Sequence, residues 1–157
     1  MTNSSSPSFD VQGLEQALRS SKTVAGGFLG ADARSLDRLI ADDQALLSKS
    51  GLTARQLGLQ MQEVTDRAKA GLGAEVAIGE GCVAWCDEWK GLIVCPWPHG
   101  GRFDKRLTLV RQSSTGRTIR WTDLNIHLIL EHGFFEGKGA EFRLEPRDLI
   151  EILFDQA

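Results

Sequence analysis

The chain has 157 residues, the size of one ordinary domain, and its apolar fraction of 41% and charged fraction of 25% are typical of globular proteins. Residues 1–9 have neither the basic start nor the apolar stretch of a secretory signal, and no segment approaches the roughly 18 apolar residues of a membrane-spanning helix. Three cysteines without an export signal favour reduced thiols over disulfides. We therefore expect a cytoplasmic protein without a membrane segment.

The N-terminal half has helical patterns. Residues 2–8 are small and polar and predict a disordered tail over residues 1–8, so we expect the folded domain over residues 9–157. Apolar residues at helical spacing predict three helices: one capped by Asp10, one capped by Asp32 and ending near Gly51, and one opened by a capping box of Thr53 and Gln56.

The junction between the second and third predicted helices is compatible with a DNA-binding helix-turn-helix. Acidic and basic side chains are equal in number up to residue 70, however. Because DNA-binding proteins gain most of their affinity by neutralising phosphates, this balance argues against DNA binding.

After Gly73 the apolar period falls from about 3.6 residues to 2, which predicts strands. Turn residues at 87–91 and 113–116 predict hairpin loops and an antiparallel meander of three to five strands. The runs rich in β-branched and aromatic residues are 76–78, 82–86, 92–97, 107–110 and 118–121.

Two helices are predicted after the strands. The first, Asp123 to His132, is almost entirely apolar and should be buried against the sheet, with Gly133 at its end. The second begins at Pro146, a residue that suits the first turn of a helix. The sequence thus predicts an α+β domain: N-terminal helices packed with the antiparallel meander, followed by two C-terminal helices.

Four potential zinc ligands have the spacing C-x3-C-x8-C-x3-H, namely Cys82, Cys86, Cys95 and His99. If Gly91 ends a three-residue hairpin loop, Cys86 lies opposite Val94 and Cys95 lies opposite Trp85, on the other face of the sheet from the first two cysteines. Because a free cysteine in an apolar strand is usually a small core residue, we expect no bound metal or other cofactor.

A polar stripe on the predicted fourth helix offers a catalytic alternative. Asp123, His127 and Glu131 stand four residues apart, so one face presents two carboxylates and an imidazole. Such a set could perform acid–base catalysis or hold a metal. An apolar helix also needs one polar stripe facing water, and neither a recognisable nucleophile motif nor a phosphate loop accompanies these residues.

The segment 102–120 has six basic side chains against one acidic, which is the strongest charge asymmetry in the chain. It follows an unusual loop, Cys95 to Gly101, in which Pro98 favours an extended Trp97. We therefore expect a binding or interaction module for an anionic partner, with a small enzyme as the alternative. The residues expected near the binding surface are Trp97, His99, Arg102, Lys105, Arg106 and Arg120.

Overall fold

Five helices and a four-stranded antiparallel sheet form the described part of the chain, residues 11–20 and 27–154 of a computed structural model. The α+β class and the order of helices, strands and two final helices are confirmed. The predicted tail and Asp10 lie outside the described residues. The elements are α1 (Val11–Arg19), α2 (Leu36–Lys49), α3 (Ala54–Lys69), β1 (Val76–Ile78), β2 (Cys82–Val94), β3 (Arg102–Gln112), β4 (Thr118–Thr122), α4 (Asp123–His132) and α5 (Pro146–Leu153).

The helix ends follow local capping chemistry. The predicted capping box of Thr53 and Gln56 opens α3, and Gly133, with a left-handed φ of 62°, ends α4. The predicted cap of α2 is wrong. Ser35 accepts the hydrogen bond from the Arg38 amide, whereas Asp32 is buried and pairs with the Arg34 side chain. The backbone amides that the Asp32 carboxylate accepts from are those of Arg34 and Lys138, which lie outside α2.

The strand order is β1-β2-β3-β4, and one predicted hairpin is wrong. Residues 87–91 do not form a turn, because β2 continues through them with a bulge between Glu88 and Leu92. Cys86 consequently lies opposite Thr108 rather than Val94. The turn prediction failed because Gly91 is compatible with both structures. A bulge uses its positive φ of 111° as readily as a tight turn does.

Short loops connect β2 to β3 and β3 to β4. The Cys95 amide donates to the Gly101 carbonyl at 2.9 Å and closes the loop 95–101 between β2 and β3. The predicted turn at 113–116 is confirmed between β3 and β4, where the Gly116 amide donates to the Gln112 carbonyl.

The core consists of two clusters, and α4 contributes to both. Ile126 and Ile129 of α4 pack with α3, α5 and the sheet around the buried Trp121. Leu128 packs on the other side, with α1, α2, Cys95 and Phe134. The indole N–H of Trp121 donates to the Thr65 hydroxyl at 2.9 Å, so the large buried ring keeps its polar atom satisfied. Within the described residues, no helix has the length and apolar character needed to cross a membrane.

Replacing Leu128 by alanine is expected to lower the free energy of unfolding by about 2–5 kcal/mol, because the side chain is fully buried in α4 and its removal leaves a cavity. Urea denaturation monitored by circular dichroism measures the change. Leu59→Ala is the control, since Leu59 is half exposed on α3. Equal effects of the two substitutions would show that α4 is not buried as described.

Candidate metal centre

Four potential metal ligands from two distant segments lie together beside α4. Cys95 follows β2, His99 lies in the loop 95–101, and His127 and His132 belong to α4. One ligand atom from each side chain lies within 4.8 Å of the ligand atoms of the other three. Cys95 is buried, the two α4 histidines are half-buried and His99 is exposed.

His99 has the shortest contacts in this cluster. Its Nε2 atom lies 3.0 Å from Cys95 Sγ, 3.0 Å from His127 Nε2 and 3.4 Å from His132 Nε2. Cys95 Sγ also lies 3.7 Å from His132 Nε2. A hydrogen bond joins only two of these ring nitrogen and sulfur atoms at a time, whereas one cation can bind the lone pairs of all four.

These separations fit a tetrahedral zinc ion. With Zn–S near 2.3 Å and Zn–N near 2.0 Å, the ligand atoms of a tetrahedral site lie about 3.3–3.6 Å apart. Four of the six separations, from 3.0 to 3.7 Å, bracket that range, and all six are within 4.8 Å. Thiolate and imidazole are also the ligand types that zinc prefers. The residues present therefore match zinc in number and chemistry, and four of their six separations match it in spacing.

Aromatic rings hold the α4 histidines in place. The Trp97 ring stacks on His132 with 4.1 Å between centroids and 9° between planes, and Phe134 packs against the indole. The Phe103 ring lies 4.5 Å from His127. These contacts restrict the rotamers of both imidazoles, which reduces the entropy lost when they bind a metal.

Burial keeps the α4 imidazoles neutral. It lowers the pKa of His132 to about 4, with help from the neighbouring His127 and His99, and it lowers the pKa of His127. Both rings therefore offer a lone pair at neutral pH. Burial raises the pKa of the Cys95 thiol, so without a bound cation this sulfur stays protonated.

The structure divides the cysteine set that the sequence singled out. Cys82 and Cys86 lie in the core cluster around Trp121, whereas Cys95 lies in the other cluster. Cys95 is thus separated from the first two cysteines, whereas the hairpin register from which its opposite face was predicted is wrong. Two members of the set, Cys95 and His99, instead meet His127 and His132. His132 was not among the site residues predicted from the sequence. The only sequence signal for it is its position five residues after His127, on the same predicted helix.

The catalytic alternative gains no support from the contacts of its three residues. Asp123 is only 18% exposed, and its Oδ2 atom accepts from Arg106 at 2.6 Å. His127 contacts His99 instead, and Glu131 is exposed. The expected solvent-facing stripe on α4 is therefore wrong at Asp123.

The expected anion-binding residues have different environments. Arg106 is not an exposed cation, because it is 12% exposed and pairs with Glu88 and Asp123. Arg120 is exposed and lies near Glu141, and Trp97 is half-buried against His132. A groove of about 310 Å³ contains Lys105, Arg106 and Arg120 among its lining residues. Across the segment 102–120, four of the six basic side chains, Arg106, Arg111, Arg117 and Arg120, lie in ion pairs.

Arg106→Gln is expected to lower the free energy of unfolding by about 1–3 kcal/mol, because it leaves the Asp123 carboxylate without its cation. Oδ1 of Asp123 already lacks a hydrogen-bond partner within the described residues. Arg120→Gln, which removes an exposed cation, is the matched control and should change stability by less than about 0.5 kcal/mol. Denaturant melts compare them, and equal stability of the two variants would contradict the buried pairing of Arg106.

The comparisons with known proteins add no constraint on function. The chain matches no protein-family model, no curated protein and no solved structure. What the protein does must therefore be inferred from the chemistry and geometry of its own residues.

Proposed function

We propose that this protein is a zinc-binding domain in which Cys95, His99, His127 and His132 hold one zinc ion. The convergence of their four ligand atoms to within 4.8 Å carries the proposal. It reverses the expectation of no metal, which was drawn from the three cysteines and His99 of the segment 82–99. The ligands come from segments about thirty residues apart in sequence, and the fold brings them together.

The ligand chemistry favours zinc over magnesium and calcium. A sulfur ligand disfavours magnesium and calcium, which prefer oxygen. Three imidazoles and one thiolate are ligands that zinc binds readily, and zinc has no redox chemistry that would oxidise the sulfur. A cytoplasmic location, still a prediction from cysteine usage, would keep Cys95 reduced.

The metal has a structural consequence. It ties the loop 95–101 to α4, two elements that otherwise meet through aromatic contacts such as Trp97 with His132. Because the ligands are brought together only in the folded chain, binding free energy adds to folding stability. The proposed role of the zinc is thus structural: it cross-links the loop 95–101 to α4.

Binding of an anionic partner, the function expected from the sequence, stays an untested prediction. The groove lined by Lys105 and Arg120 favours it. The carboxylates that neutralise four of the six basic side chains in the segment 102–120 weigh against it. Metal binding has the stronger support, because its four potential ligand atoms lie within 4.8 Å of one another.

The metal-free protein is expected to bind one zinc ion per chain and to gain stability, by about 2.7 kcal/mol when free zinc is one hundred times the dissociation constant. Cys95→Ser should abolish stoichiometric binding. Cys86→Ser is the matched control, a similarly buried thiol outside the site, and should still bind one ion. Calorimetric titration with elemental analysis measures the stoichiometry. Absence of binding, or equal loss in both variants, would contradict the proposal.

Cobalt(II) bound at the same site is expected to quench tryptophan fluorescence, mainly through Trp97, because its ring stacks on the ligand His132 at 4.1 Å. Trp97→Phe keeps an aromatic ring there and should remove most of the quenching while binding persists. Trp89→Phe is the control, since Trp89 is exposed on β2, a strand that contributes none of the four ligands. If both variants quench to the same extent, the metal does not bind beside Trp97.

A further inference from the structure

The four ligands of the proposed zinc site are not held equally. Cys95 directly follows β2, with its amide bonded to the Gly101 carbonyl, and His127 and His132 lie on α4. His99 lies in the middle of the loop 95–101, between Pro98 and two glycines, and it is the exposed member of the set. Regular structure therefore positions Cys95, His127 and His132, at the end of a strand or within a helix, whereas His99 has no such support.

A hydrogen bond within the loop competes with metal binding by His99. The Gly101 amide donates to His99 Nδ1 at 3.1 Å, so in the neutral ring the proton is on Nε2, the atom that faces the other ligands. A neutral imidazole that binds a metal through Nε2 carries its proton on Nδ1, where it meets the Gly101 N–H. Binding by His99 therefore breaks this hydrogen bond, and its release restores it.

We propose that His99 is an exchangeable fourth ligand, and that its departure opens a coordination position on the zinc to a small anion from solvent. The inference rests on the metal-binding function proposed above. Zinc sites with four protein ligands are closed, whereas sites with three keep a position for water or substrate. This site changes from the first kind to the second when one exposed side chain moves.

The exchange balances without any further reactant. The bond between zinc and His99 Nε2 breaks, and a bond from zinc to the donor atom of the anion forms. The released ring moves its proton from Nδ1 to Nε2 through water, so its charge does not change. Because His99 is exposed, the open position faces solvent. The donor atom of the entering anion therefore matters more than the shape of the anion.

Gly101 provides a second way to remove His99 from the site. A Cβ atom at this position would lie 2.5 Å from His99 Cε1 and 3.0 Å from Nδ1. Gly101→Ala therefore displaces the His99 ring while keeping its chemistry. Gly81→Ala is the matched control, because a Cβ there meets nothing within 4 Å.

The test uses the full chain loaded with cobalt(II), whose visible spectrum reports coordination, and titrates azide as the small anion. The wild type should show a saturable spectral change. His99→Ala and Gly101→Ala should keep one cobalt per chain and bind azide at least tenfold more tightly, since His99 no longer competes. Gly81→Ala should behave as the wild type. Added imidazole should restore the four-ligand spectrum in His99→Ala.

Two results would overturn the inference while leaving the zinc site intact. In the first, His99→Ala loses cobalt as completely as His127→Ala, which would make His99 an obligatory ligand. In the second, His99→Ala keeps cobalt but azide changes no spectrum, which would show that no position opens. If the wild type binds no metal at all, the proposed function itself fails, and the two failures are distinguished by the wild-type stoichiometry.

Discussion

The burial of α4 is the constraint on which the rest of the structure depends. The core side chains of this helix are divided between the two clusters, with Ile126 and Ile129 in one and Leu124 and Leu128 in the other. It begins at the residue after β4, where Thr122 is both the last strand residue and the cap. Because no linker separates them, the position of β4 in the sheet fixes the start and direction of the helix.

The candidate metal centre is a consequence of that fixed position. With its apolar faces committed to the two core clusters, α4 presents His127 and His132 toward the loop that joins β2 and β3. The buried Cys95 at the end of β2 meets them there, and the aromatic rings of Trp97 and Phe103 hold the imidazoles. Rigid supports on both sides give a preorganised set of ligands, and preorganisation reduces the entropy lost on binding.

The elements were largely predictable from the sequence, because their signals are local. Capping residues such as Thr53 and periodic apolar residues define α3 and α4 without reference to the rest of the chain. The predicted turn at 87–91 was wrong because polar residues followed by glycine are compatible with both a hairpin and a bulge. The difference depends on the long pairing of β2 with β3, which no local pattern encodes.

The site was only partly predictable, for the same reason. The loop containing Cys95 and His99 is unusual in sequence, and His127 was a candidate in a different role. His132, at the end of α4, had an alternative explanation as a favourable charge at a helix C-terminus. Their convergence depends on α4 packing against the loop, and a contact between residues so far apart in sequence has no local pattern that reveals it.

X-ray absorption at the zinc edge of the zinc-loaded protein identifies the atoms bound to the metal. We expect one sulfur at about 2.3 Å, from Cys95, together with imidazole nitrogens at about 2.0–2.1 Å. A coordination shell without sulfur, made only of oxygen or nitrogen atoms, would contradict the proposed zinc site.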